Sequence, residues 1–157
     1  QAGVIEGKYV SGSNSYGAQA RGSGCKSEIV ISDHPIDFPH LLTADILIAM
    51  SQGAYHSYWG DAKAETGLIL YDQGLVTPKE ELQLKQIGIP ATEISVKELK
   101  NKQVANIVFL GALVETTKIV SHQAIQKAMD QHVSERFQRL NLKALQVGMD
   151  LGRKIHG

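Results

Sequence analysis

The chain has 157 residues, 43% of them hydrophobic, with sixteen basic and sixteen acidic side chains and one cysteine. That length supports one α/β domain with a real core, and the zero formal charge supplies no electrostatic footprint for nucleic acid or an anionic membrane. A single thiol excludes an intrachain disulfide framework and any multi-cysteine zinc or iron–sulfur site made by this chain alone.

No apolar run reaches the roughly 18 residues of a membrane span, and the start lacks a signal-peptide layout, so a soluble cytoplasmic chain is expected. The opening "QAGVIEGKYVSG" has no initiator methionine and reads as a helix end, closed by Gly3 or Gly7, passing into a strand at "KYV". Residues upstream of it are expected. "GKYVSGS" and "CKSEIVISD" are strand-like, the second alternating with Ile29 and Ile31 on one face. Cys25 is expected to be a buried, inert thiol.

Between those strands lies "SYGAQARGSG", in which Arg21 sits among Gly17, Gly22 and Gly24 with Tyr16 close by. Glycines allow close backbone approach, and a guanidinium offers five fixed donors suited to phosphate or carboxylate. The ordinary reading is a glycine-rich loop before a strand; the functional one adds an anion or another protein chain.

"ADILIAM" at 44–50 is a continuous apolar run, as expected for a central strand buried on both faces. Ser51 should cap a short helix in "SQGAYHSYW", and Ser51, Gln52 and Gly53 then occupy the carboxyl end of a strand, where open α/β sheets place ligands or partner loops. Tyr55, Tyr58 and Trp59 read as core or as an interface centre. "TGLILYD" is another buried strand ending at Asp72; Asp33, Asp45 and Asp72 flank strands, where carboxylates cap turns. "TPKEELQLKQIG" predicts a helix with Thr77 as N-cap, Pro78 at the first helical position, Glu80 completing a capping box and Gly88 past the end. "IPATEI" at 89–94 reads as a short strand, and "SVKE" at 95–98 as a second capping box.

The last third reads as helical. "QVANIVFLGALVETT" is apolar nearly all round and should lie inside, with Asn106 needing a buried partner; "SHQAIQKAMDQHV" and "SERFQRLNLKALQVGMDLGRKIHG" are amphipathic. In the last helix Phe137, Leu140, Ala144, Leu145, Met149 and Leu151 approximate one stripe, and Gly148 and Gly152 permit close packing. The predicted architecture is a single domain over 1–157, a three-layer αβα sandwich with a mostly parallel sheet, Rossmann-like, with a helical C-terminal third. No HExxH, GxSxG, P-loop or GxGxxG motif is present, and no metal or catalytic residue is assigned.

In their order, "GKYV", "SYGAQARGSGCKSEIVISDHPID", "ADILIAMSQGAY", "PATEI" and "NIVFLGALVETTKIVSHQAI" resemble the gamma subunit of 2-oxoacid:ferredoxin (acceptor) oxidoreductases, most closely the 2-oxoglutarate branch. The resemblance implies a complex that uses thiamine diphosphate with magnesium, iron–sulfur clusters and CoA to make acyl-CoA (succinyl-CoA), carbon dioxide and a reduced acceptor. None of those cofactors is expected on this chain alone. Implied partners are alpha, beta and delta (ferredoxin-like) subunits and ferredoxin or a similar acceptor, in a prokaryotic cytoplasm, with self-association when isolated.

This chain is implied to assist assembly and to help hold CoA, through Tyr16, Gly17, Arg21, Gly22, Gly24, Ser51 and Gln52. Two departures stand out. The family's "GGQG" turn and the strand before it are not in the sequence, and "YGAQARGS" replaces the family's "YGPEMRGG", with Ala18, Gln19 and Ser23 at the proline, acidic and second glycine positions. The readings that remain open beside it are a stand-alone nucleotide- or CoA-binding αβα protein and a structural homodimer module.

Overall fold

A computed structural model describes residues 1–16 and 25–156, without the side chains of Ser15, Tyr16 and His156. Helix α1 (Ala2–Ile5) ends at Gly7, whose φ of +77° is the left-handed conformation that glycine adopts without strain, and the chain turns into β1 (Tyr9–Tyr16). Strand β2 (Cys25–Ser32) pairs antiparallel with β1, from Tyr9 opposite Ser32 to Tyr16 opposite Cys25.

A second sheet carries β3 (Ile46–Ala49), β4 (Leu68–Asp72) and β5 (Lys85–Ile89), all parallel, in the order β3-β4-β5. The remaining elements are α2 (Gln52–Tyr58), α3 (Ala91–Lys97), α4 (Ala105–Thr117), α5 (His122–His132) and α6 (Glu135–His156).

Alternation along the parallel strands decides the layering. Leu47, Ala49 and Ile69 pack with Tyr55 of α2 on one face. Leu70, Ile87 and Ile89 pack with Val108, Phe109 and Ala112 of α4 and Ala144 of α6 on the other. The α/β expectation, with a parallel sheet and a helical C-terminal third, is met. A third cluster joins Ala2 of α1 to Ala124, Ile125 and Met129 of α5 and Leu145 and Met149 of α6.

Two of the three glycines at the α4–α6 crossing are those expected to permit close packing. A Cβ at Gly148 would lie 2.0 Å from the Val108 carbonyl oxygen, one at Gly152 2.6 Å from Glu115 Cβ, and one at Gly111 2.2 Å from the Leu145 carbonyl oxygen. The helices therefore touch backbone to backbone, which only a missing side chain permits. Phe137 is exposed and does not belong to the buried stripe; it lies in the first turn of α6, ahead of the crossing.

Several expectations are corrected. No helix forms over 77–88: residues 73–84 run irregularly and β5 begins at Lys85. Leu82 and Leu84 pack beneath the α2 face and Ile87 and Ile89 on the opposite one, a spacing of two that a helix cannot satisfy. The strand expected at 89–94 is instead the end of β5 followed by α3, so Ser95 is a mid-helix residue whose hydroxyl donates to the Ala91 carbonyl at 2.7 Å rather than a cap.

Among the described residues strand β3 lies at the edge of its sheet, not the centre. Asn106 is exposed, its side-chain oxygen accepting from the Ile107 amide, because it sits on the outer side of the first turn of α4. Cys25 is exposed as well, at the start of β2 on the face that its alternating burial leaves outward.

Candidate functional site

The carboxyl end of β3 holds Ser51 and Gln52, the polar side chains that sequence reasoning placed near a ligand, and each has a partner within the chain. Ser51, in extended backbone, accepts the Ala54 amide at 3.2 Å and caps α2 as expected. The Gln52 oxygen accepts the Thr77 amide at 2.7 Å, while its nitrogen donates to the Thr77 carbonyl at 3.3 Å and lies 3.2 Å from His56 Nε2.

One turn further along α2, the Tyr55 hydroxyl donates to Gln86 Oε1 at 2.6 Å and accepts the Lys79 amide at 3.0 Å, and Gln86 Nε2 donates to the Lys79 carbonyl at 2.7 Å. The irregular 73–84 crossover is thus clasped at Thr77 and Lys79 by three side chains. The Lys79 ammonium stands 4.4 Å over the Trp59 ring. Tyr55 is core, with its hydroxyl serving the clasp; Tyr58 and Trp59 are half-buried beside it.

Asp72 is fully buried and acts as the turn cap that its position at the strand end suggested. One carboxylate oxygen accepts the Gly74 amide at 3.1 Å; the other accepts the Thr92 amide at 3.0 Å and the Thr92 hydroxyl at 2.7 Å. It fastens the first turn of α3 to the end of β4. Asp33 and Asp45 are exposed and pair with Lys8 at 2.7 Å and Lys63 at 2.5 Å.

A groove of about 260 Å³ separates the two sheets, lined by consecutive residues of β2 (Cys25 to Glu28) and β3 (Ile46 to Ile48), with Leu42 and Tyr58. When both parities of a strand line a groove, its backbone edge faces the groove. Each of these strands pairs on one side only among the described residues. At one end Lys26 bridges Glu28 at 2.8 Å and Asp61 at 3.5 Å, its ammonium 4.9 Å over the Tyr58 ring. The Lys26 hydrogen bond holds the Glu28 carboxyl below its ordinary value, and the same bond raises the Lys26 pKa.

Of the seven site residues expected from sequence, the structure places Ser51 and Gln52 at the end of β3. Tyr16 closes the described part of β1, opposite Cys25, while Gly17, Arg21, Gly22 and Gly24 lie outside the described residues.

Sequence reasoning missed the Tyr55–Gln86 clasp, because polar residues 31 apart leave no local pattern. It also missed Glu115, a buried carboxylate on α4 bonded to Lys118, with its second oxygen 2.6 Å from His122 Nε2 on α5 and 3.9 Å from Arg153 Nε on α6. The Lys118 bond is the largest influence lowering the Glu115 pKa. A glutamate in an otherwise apolar helix was the signal that could have found it. Among the described residues no group of three or more His, Cys, Asp and Glu converges to hold a metal ion, and no helix is long and apolar enough to cross a membrane.

The polar groups at the strand ends are engaged in holding loops, and open strand edges and exposed apolar side chains gather beside the β2–β3 groove. The fold is thus an α/β domain whose strand-end polar side chains serve its own loops. Residues 1–151 match the model of the pyruvate ferredoxin/flavodoxin oxidoreductase family, and the chain belongs to that family.

It is 40% identical over 156 residues to the 2-oxoglutarate synthase subunit KorC of Methanocaldococcus jannaschii, covering 98% of this chain and 83% of that one. The crystal structure of the keto/oxoacid ferredoxin oxidoreductase gamma subunit from Geobacter sulfurreducens superposes with a TM-score of 0.82 at 35% identity, over 98% of this chain and 85% of that one. The ketoisovalerate oxidoreductase subunit VorA of Methanothermobacter marburgensis is 31% identical over 157 residues, which are 98% of this chain and 32% of that one.

Proposed function

We propose that this chain is the gamma subunit of a 2-oxoglutarate:ferredoxin oxidoreductase, an assembly component and not a catalyst by itself. The observation that carries the reading is the 40% identity, over nearly the whole chain, to a 2-oxoglutarate synthase subunit. The complex converts 2-oxoglutarate and CoA to succinyl-CoA and carbon dioxide and passes two electrons to ferredoxin or a similar acceptor. Thiamine diphosphate with magnesium and the iron–sulfur clusters belong to the alpha, beta and delta subunits, in keeping with a single cysteine here. The setting is a prokaryotic cytoplasm.

Within this chain the residues that meet partner subunits, or the CoA phosphates, are Tyr16 and Arg21 with Gly17, Gly22 and Gly24, since a guanidinium fork suits carboxylate and phosphate alike. Anaerobic affinity purification of the full-length chain from its native cells tests the assignment. Recovery with larger subunits, thiamine diphosphate, iron and 2-oxoglutarate- and CoA-dependent electron transfer supports it; recovery alone and free of both cofactors refutes it. Arg21→Ala in that complex lowers assembly or raises the KM for CoA, and normal values for both remove Arg21 from the site.

A further inference from the structure

The connection from β2 to β3 is unlike the other connections of the fold. Of residues 33–43 only Ile36 and Leu41 are even half-buried, and no helix or strand forms there. Two large apolar side chains project from it: Phe38 is 59% exposed and Leu42 86% exposed. The Phe38 ring meets His40 edge-on at a centroid distance of 5.6 Å, a neighbour on the same segment.

Both ends of the segment are fixed. Lys8 pairs with Asp33 at the start, the Leu41 amide donates to Glu28, and at the far end Ala44 exchanges backbone bonds with Asp61 and Lys63 at 2.7 and 3.0 Å. Pro35 and Pro39 restrict the backbone between those ends and carry no amide hydrogen. An arm tethered at both ends and restricted by two prolines loses less conformational freedom on docking than a free loop of the same length. Leu42 also lines the mixed polar and apolar β2–β3 groove beside Ile48, a 43%-exposed residue of β3, so the arm is continuous with the open edge of that strand.

We propose that residues 33–43 are the arm by which this subunit docks on the larger subunit of its complex, with Phe38 and Leu42 as the anchoring side chains; the inference rests on the gamma-subunit reading above. The occupant is a larger protein body rather than a second copy, because in VorA the equivalent of nearly this entire chain makes up 32% of a longer polypeptide. Aromatic and aliphatic anchors on a preorganised loop are the kind of group that dominates interface energy.

The test uses the full chain co-expressed with the other subunits, one of which carries the affinity tag, and measures how much of it is retained by intact-complex mass. The double variant Phe38→Asp/Leu42→Asp is expected to lose retention roughly tenfold or more. Val96→Asp, at a comparably exposed position on α3, is expected to be retained as the parent is.

The free double variant should melt with the parent, since neither side chain belongs to a buried core cluster, which separates lost docking from lost folding. Hydrogen exchange in the assembled complex should show protection of 33–43. Retention of the double variant at the parent level overturns the arm assignment while leaving the subunit reading intact. If the arm variant abolishes only a homodimer of the free chain, the occupant is a second copy and the proposal fails. If the parent chain itself is not retained, the subunit reading falls and the arm assignment with it.

Discussion

Gly148→Ala places a methyl group at the α4–α6 crossing, and two opposing effects decide its outcome. Alanine in a helix interior is favoured over glycine by roughly 1 kcal/mol through backbone entropy. Against that, the new Cβ would stand 2.0 Å from the Val108 carbonyl oxygen, 2.8 Å from its carbon and 3.0 Å from the Ala112 nitrogen, all backbone atoms of the facing helix. Ordinary contact begins at 3.4 Å, so relief requires a displacement of 1.4 Å along that line.

No rotamer change supplies it; the helices must separate. A gap of about 0.5–1 Å already forfeits a quarter to a half of each van der Waals contact, and overpacking of this type costs about 1–3 kcal/mol, more when backbone is the obstacle. The seam carries Val108, Ala112 and Ala144 of one core cluster and Leu145 and Met149 of another, so both are loosened together. With backbone as the obstacle the cost falls at the upper end of that range, and after the propensity gain the net expectation is destabilisation by about 2 kcal/mol.

Urea unfolding followed by far-UV circular dichroism measures it, as a lower midpoint at similar slope. Gly53→Ala is the internal control: it also lies in a helix, with nothing within 4 Å of the place its methyl group would take, so it should stabilise by up to about 1 kcal/mol. A Gly148→Ala chain as stable as the parent, or more so, would refute the close crossing.

Asp72→Ala leaves the Gly74 and Thr92 amides and the Thr92 hydroxyl without their buried acceptor. A loss of about 3 kcal/mol is expected, seen in thermal melting as a drop of about 6–12 °C, with Asp72→Asn intermediate. Glu115 has a folded pKa below its ordinary 4.5, so its contribution to stability is present above that value and disappears as pH falls through the lower folded value. Glu115→Gln should therefore be less stable than the parent at pH 7, with the difference closing below pH 4.5 in a series of denaturant midpoints. A difference that is constant with pH would show that the ion pairs at the α4–α5–α6 junction contribute nothing.

Local signals were legible where one element contains its own cause. Ser51 capping α2, Gly7 closing α1 and the glycines of α6 are each fixed by neighbours within a few residues or by the space a side chain would need. The misread segment, 77–88, shows what happens when two signals compete. Thr77, Pro78 and Glu80 spell a helix start, but the apolar residues after them recur at a spacing of two.

The deciding partners are remote: Gln52 and Tyr55 take the Thr77 and Lys79 amides that a helix start would have used. Continuous apolarity marked β3 as a strand without saying how many neighbours it has, since edge position depends on chain order in space. Exposure of Cys25 and Asn106 is likewise a tertiary fact. The functional reading of the sequence fell on a stretch, Tyr16 to Gly24, most of which lies outside the described residues, whereas the long-range clasp and the Glu115–Arg153 approach join residues 24 to 38 positions apart and leave no pattern.

The clasp also bears on how CoA could be held. Gln52 was a candidate because it follows a strand end, yet both ends of its amide are engaged with Thr77 and His56, and Ser51 accepts a capping amide. A ligand drawing on Gln52 would have to release Thr77 first, losing two hydrogen bonds that together contribute roughly 1–2 kcal/mol. Any CoA contact from this chain is therefore expected from the Arg21 stretch and not from Gln52. Gln52→Ala should leave the KM for CoA of the assembled complex unchanged while speeding proteolytic cleavage at Lys79, because the crossover is released locally. A raised KM with cleavage unchanged would mean that Gln52 faces the ligand and that its bonds to Thr77 are dispensable.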